Sequence, residues 1–165
     1  MASITVVVAG EPRDRALWRS LLESAGGSAV VADVEAGQAG WALVARLRPR
    51  LLLLDFRRPR LDVLAVLPGL RLGSPGTRVI LLTSRRTPIS LILEGLRRGA
   101  RGYLDRAALR TCLPKAVRAV DAGEAWVPRQ MVSRILDQLV RLSASGPSAR
   151  EQPAPPMAAR RSRAP

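Results

Sequence analysis

Asp55 closes a run of four leucines, Leu51 to Leu54, and so places a carboxylate where an apolar strand ends. Three other polar groups stand in the same kind of place. Glu11 comes just after the run Ile4-Thr5-Val6-Val7-Val8-Ala9, Thr83-Ser84 follows Val79 to Leu82, and Asp105-Arg106 follows Gly102-Tyr103-Leu104. In an open α/β sheet, ligands bind beyond the carboxyl ends of the strands, where the strand order reverses. A strand order of 2-1-3-4-5 brings the ends of the first, third and fourth strands side by side. Two carboxylates, a hydroxyl and a cation gathered there suit a phosphoryl group and a hard cation such as Mg2+, which prefers oxygen ligands.

The elements that must position these groups are legible as alternating patterns. A weaker second strand spans Ala29 to Val34. Pro12 suits a first helical turn, and Leu17, Trp18, Leu21 and Leu22 form an apolar stripe that stops at Gly26-Gly27. A second helix carries Trp41, Leu43, Val44 and Leu47 and is closed by Pro49. Asp62 is a natural N-cap for a third helix through Leu64, Leu67 and Leu70, which Pro68 is expected to shorten or kink. A fourth runs from about Pro88 to Arg98, and a fifth from about Leu109 to Ala122. Five strands alternating with five helices predict a parallel sheet covered on both faces.

Composition removes several function classes. The chain has 165 residues, enough for one domain with a real core. It contains no histidine, which excludes Ser-His-Asp and Cys-His nucleophilic catalysis and histidine-ligated metals. A single cysteine, Cys112, excludes intrachain disulfides and cysteine-cluster metal sites, so a reducing cytoplasm fits. There is no nucleotide-binding glycine loop, and an enzyme with its own small-molecule substrate is not expected. The net charge is +14, with Lys115 the one lysine among 27 basic residues. Such an excess permits salt-sensitive adhesion to nucleic acid without establishing it. No stretch approaches the length of a membrane span, and the N-terminus lacks a signal-peptide pattern.

The stretches VVVAGEP, LRPRLLLLDFRRPRLDVLAVL, TRVILLTS, LEGLRRGARGYLDRAAL and AVRAVDAGEAWVP occur in an order and spacing that resembles the receiver domain of two-component response regulators. Within that family the pattern is similar to the NarL/FixJ type, which couples a receiver to a LuxR-type helix-turn-helix. The resemblance covers roughly residues 4–142 and implies a flavodoxin-like (CheY-like) doubly wound fold. It also implies that Asp55 is the phospho-acceptor, taking its phosphoryl group from the phosphohistidine of a sensor histidine kinase. Thr83 is then the hydroxyl facing the phosphoryl oxygen, Ser84 its small neighbour, and Tyr103 the aromatic switch. Mg2+ would be held by Glu11, Asp55 and the backbone carbonyl of Arg57.

This sequence departs from the family at two of these places. The usual pair of acids after the first strand is here Gly10-Glu11, so one carboxylate is missing and Mg2+ binding should be weakened. The usual lysine after the fifth strand is Arg106, which keeps the charge on a bulkier, forked head. Arg57, Arg58, Arg85 and Arg86 flank the pocket, as a solvated rim or as guanidinium groups that partly stand in for the metal. Retained phosphorylation and a degenerate pseudo-receiver acting by interaction or dimerisation both remain open.

The expected organisation is a receiver over residues 1–123, an amphipathic linker helix over 124–142, and a disordered Pro/Ala/Arg-rich tail over 143–165. The linker carries Met131, Val132, Ile135, Leu136, Leu139 and Val140 on one side. The tail has no apolar periodicity with which to build two helices around a turn, so no helix-turn-helix is expected from it. The expected partners are a sensor histidine kinase and a downstream protein or a second copy of the chain. DNA enters only for a truncated regulator or through non-specific charge.

Overall fold

The structure, a computed structural model, describes residues 3–56 and 61–144. Five parallel strands, β1 (Ile4–Ala9), β2 (Ser28–Val34), β3 (Leu51–Asp55), β4 (Arg78–Thr83) and β5 (Gly102–Asp105), form one sheet in the order β2-β1-β3-β4-β5. Crossovers are made by α1 (Pro12–Ala25), α2 (Gln38–Leu47), α3 (Leu61–Gly73) and α4 (Ile89–Arg97), and α5 (Leu109–Asp121) follows β5. This is the doubly wound arrangement that the alternation predicts.

The central strands are apolar at nearly every residue because both faces are covered. Val6, Val8, Leu51, Leu53, Ile80 and Leu82 point to one side, where Trp18 and Leu22 of α1 and Leu109, Leu113 and Val117 of α5 pack on them. Val7, Leu52, Leu54 and Leu81 are equally buried. The register sets Ala9 opposite Leu54, Asp55 opposite Leu82 and Thr83 opposite Asp105, so the polar strand ends share one edge of the sheet.

Several local expectations are corrected. Asp62 is not an N-cap, since α3 already begins at Leu61. Of the two effects expected of Pro68, shortening does not occur, and the helix runs on to Gly73. The carbonyl of Leu64, four residues before Pro68, lacks the helical N–H that a proline cannot supply, and Arg98 Nη1 donates to it at 3.2 Å instead. A single 3₁₀ turn (Arg106–Ala108) precedes α5, with the Asp105 carboxylate accepting from Ala107 N at 2.8 Å.

Beyond α5 the chain returns to the sheet before its last helix. Trp126 bridges to Gly102 in parallel, its N–H donating to Arg101 O at 3.2 Å and its carbonyl accepting from Tyr103 N at 3.0 Å. A Cβ at Gly102 would lie 2.8 Å from Trp126 O, so only glycine admits this close approach. The chain divides into two compact units at Arg129. The helix α6 (Arg129–Ala144) begins later and ends later than the 124–142 span expected for it. Val132, Leu136, Leu139 and Val140 of its apolar stripe are exposed. No helix among the described residues is long and apolar enough to cross a membrane.

Candidate functional site

Asp55 is the last residue of β3 and is half-buried, whereas Phe56 beyond it is fully buried and continues the ladder by donating its N–H to Leu82 O at 2.8 Å. The aspartate is therefore held at a fixed point on the sheet edge. Next to it, Gly10 ends the β1 side, its N–H donating to Val34 O at 3.2 Å. Glu11 follows as the N-terminal cap residue of α1, where its backbone carbonyl accepts from Asp14 N and Arg15 N, each at 3.0 Å. Its side chain is exposed and makes no capping hydrogen bond.

Thr83 is 2% exposed, and its hydroxyl donates to Leu104 O at 3.4 Å across the β4–β5 seam. Ser84 is fastened to the loop ahead of α4: its N–H donates to Thr87 Oγ1 at 3.0 Å, and Thr87 N donates back to Ser84 O at 2.9 Å. Tyr103 is 7% exposed and counts among the buried core residues. Arg85 and Arg86 are exposed in the turn after β4. Arg57 and Arg58, and with them the Arg57 carbonyl, lie outside the described residues.

Arg106 is drawn toward α1. Its Nη2 pairs with the Asp14 carboxylate, and the two side chains are only 20% and 15% exposed. The guanidinium carbon sits 5.7 Å from the centroid of the Trp18 ring, within reach of a cation–π attraction. Trp18 is fully buried. A Cβ built on Gly10 would lie 2.8 Å from Trp18 Cη2, 3.0 Å from Cζ3 and 3.1 Å from Asp55 Cβ. The indole thus fills the space beside Asp55 that a side chain at position 10 would enter.

Sequence reasoning named Asp55, Glu11, Thr83 and Arg106 for this edge but gave Trp18 only a core role and did not single out Asp14. The signal that was available is Gly10 itself, because a side chain absent from a crowded pocket leaves volume for another to fill. Three buried N–H donors, Arg15 Nε, Trp18 Nε1 and Arg106 Nη1, have no acceptor among the described residues. A hard divalent cation asks for clustered oxygen ligands. Among the described residues no group of three His, Cys, Asp or Glu side chains is placed to hold one. The described side chains alone therefore do not assemble a Mg2+ site.

Comparison with known proteins agrees with this architecture. Residues 5–118 match the response regulator receiver domain family. The transcriptional regulatory protein NarL of Mycobacterium tuberculosis is 29% identical over 137 residues, which are 81% of this chain and 62% of that protein. The transcriptional regulatory protein YxjL of Bacillus subtilis is 30% identical over 100 residues, 61% of this chain and 45% of that protein. The chain thus spans only part of the length of these relatives. Among solved structures, the signal receiver domain of NarL from Mycobacterium tuberculosis superposes with a TM-score of 0.68 at 29% identity, covering 75% of this chain and all of that one. The isolated receiver domain of RcsB from Salmonella enterica without ligand gives 0.69 at 23% identity, over 82% of this chain and 99% of that one, a likeness of fold. With the strand order, the Asp55 strand end and this match over most of its length, the chain belongs to the response regulator receiver domain family.

Proposed function

We propose that this domain is a two-component receiver module in which Asp55 accepts a phosphoryl group from a sensor histidine kinase and signals onward by protein–protein contact. The observation that carries the reading is the placement of Asp55, half-buried at the carboxyl end of the central strand, with Thr83 at the end of the neighbouring one. In the transfer, the N–P bond of a phosphohistidine breaks and a carboxylate oxygen of Asp55 forms the new O–P bond, giving an acyl phosphate and a neutral imidazole once the proton balance is met by solvent. Receiver domains typically bind Mg2+ at this position, whereas the described side chains here do not assemble a site for one. Thr83 and Tyr103 flank the β4–β5 seam, which joins the pocket to the α4 and α5 surface where a partner would read the change.

The test is intact-mass measurement after incubation with acetyl phosphate, with and without MgCl2. One added phosphoryl group is expected on the parent protein and none on Asp55→Asn. No gain on the parent would instead support the second reading, a phosphorylation-independent interaction or dimerisation module, which the Gly10–Trp18 arrangement favours. Binding to DNA that vanishes with added salt would reflect only the basic charge excess.

A further inference from the structure

We propose that Trp18, with Arg106 held over it by Asp14, closes the acid pocket beside Asp55 against divalent cations, so that this receiver operates its carboxylate without Mg2+. The inference concerns the same pocket as the reading above, but it describes the resting protein and does not depend on whether Asp55 is phosphorylated.

Four observations carry it. The first is ligand number. Position 10 offers no carboxylate, Glu11 is exposed at the cap of α1, and no three acidic side chains cluster among the described residues. The second is volume. A cation that keeps several of its waters needs room beside Asp55, and there the indole stands 2.8–3.0 Å from where a Gly10 Cβ would be. Trp18 is fully buried within the core cluster that also holds Val8, Leu53, Leu109 and Leu113, so the ring cannot swing aside cheaply.

The third is charge. Arg106 brings a fixed positive charge to the ring, and Asp14, the one acid in the first turn of α1, is already paired with it. A dication entering beside that guanidinium is repelled by it, and the carboxylate that would offset the repulsion is taken. The fourth is polarity. Among the described residues, the buried side-chain polar atoms without partners are the N–H donors of Arg15, Trp18 and Arg106, and a cation cannot bond to a donor.

The experiment is a titration of the full chain with MgCl2 alone, read by thermal melting and by isothermal calorimetry. A ligand that binds only the folded state raises the melting temperature with its concentration. The parent is expected to show no Mg2+-dependent rise and no binding heat through the millimolar range. Gly10→Asp alone should stay unresponsive, because its carboxylate has no room. Gly10→Asp combined with Trp18→Leu supplies the acid and clears the ring, and should acquire a saturable rise.

A saturable response in the parent would overturn the proposal. So would a single Gly10→Asp variant that responds as strongly as the double, or a double variant that is folded by circular dichroism yet unresponsive. If the double variant does not fold, calorimetry on the parent decides alone. The acetyl phosphate experiment reads Asp55 separately: a parent silent to Mg2+ that gains a phosphoryl group upholds both proposals, and one silent to both sinks only phosphorylation.

Discussion

At Gly10 the missing side chain and the large one beside it are one feature of the pocket. Each makes sense only with the other, since the indole takes the volume that glycine leaves. Gly10→Ala should therefore destabilise the fold by about 1–3 kcal/mol, the usual cost of forcing extra atoms into a packed site. The new Cβ meets a ring atom at 2.8 Å and the Asp55 Cβ at 3.1 Å, and neither neighbour is the free end of a flexible chain. Urea unfolding would show the loss, and the cost should shrink when Trp18→Leu is present as well, a non-additivity expected of residues in contact. Equal losses in both backgrounds would show that the ring is not what crowds position 10. The residues at strand ends were readable in the sequence because an apolar run stopping at an acid, a hydroxyl or an arginine is a local signal. Trp18 was not, since its stripe with Leu17, Leu21 and Leu22 reads as ordinary core. The pairing of Arg106 with Asp14 joins positions 92 apart and has no local trace.

The third and fourth helices show how an element that looks broken in the sequence is held together. Pro68 withholds a donor from Leu64 O, and Arg98 at the end of α4 returns one. The same guanidinium donates through Nε to Glu94 Oε1 at 2.6 Å, while Arg97 grips both oxygens of that carboxylate at 2.8 Å. Periodicity reveals a helix and its proline, but not which cation from another element repairs it, so the expected shortening did not occur. Arg98→Ala should cost about 1–2 kcal/mol, since it removes both the hydrogen bond to Leu64 O and the part-exposed ion pair with Glu94. In a Pro68→Ala background the cost should fall, because residue 68 then supplies the N–H itself. A double-mutant cycle by urea unfolding checks this, and an unchanged cost would place the role of Arg98 elsewhere. Hydrogen bonds from Arg97 and then Arg98 hold the Glu94 carboxyl at about 2, below its ordinary 4.5. Because the folded value is the lower one, this clamp contributes fully above about pH 4.5 and is lost as pH falls toward 2. Melting temperatures measured down that range should drop less for Glu94→Gln than for the parent.

On the scale of the whole molecule, the fold is closed by a segment that carries no periodic signal. The sequence places the end of the receiver at Gly123, where the fifth helix stops, because a helix end is marked by its glycine and a lone bridging residue is marked by nothing. Yet Trp126 packs against the main core and pairs with the backbone on both sides of Gly102. The core cluster itself, from Val6 to Val120, lies wholly within the first unit, which ends at Arg129. Two truncations separate these contributions. A chain ending at Arg129 keeps the sheet, its five covering helices and the Trp126 bridge, and should unfold at nearly the same urea concentration as the full chain. A chain ending at Gly123 loses the partly buried indole and its two backbone hydrogen bonds, which together should cost roughly 2–4 kcal/mol. Hydrogen exchange supplies the local readout, since the Tyr103 amide donates to Trp126 O and should lose its protection in the shorter chain alone. If the chain ending at Gly123 matches the longer one in stability and in Tyr103 protection, the Trp126 segment is an ornament on the β5 edge. If both truncations are weakened alike, Trp126 is not the feature that stabilises the longer chain.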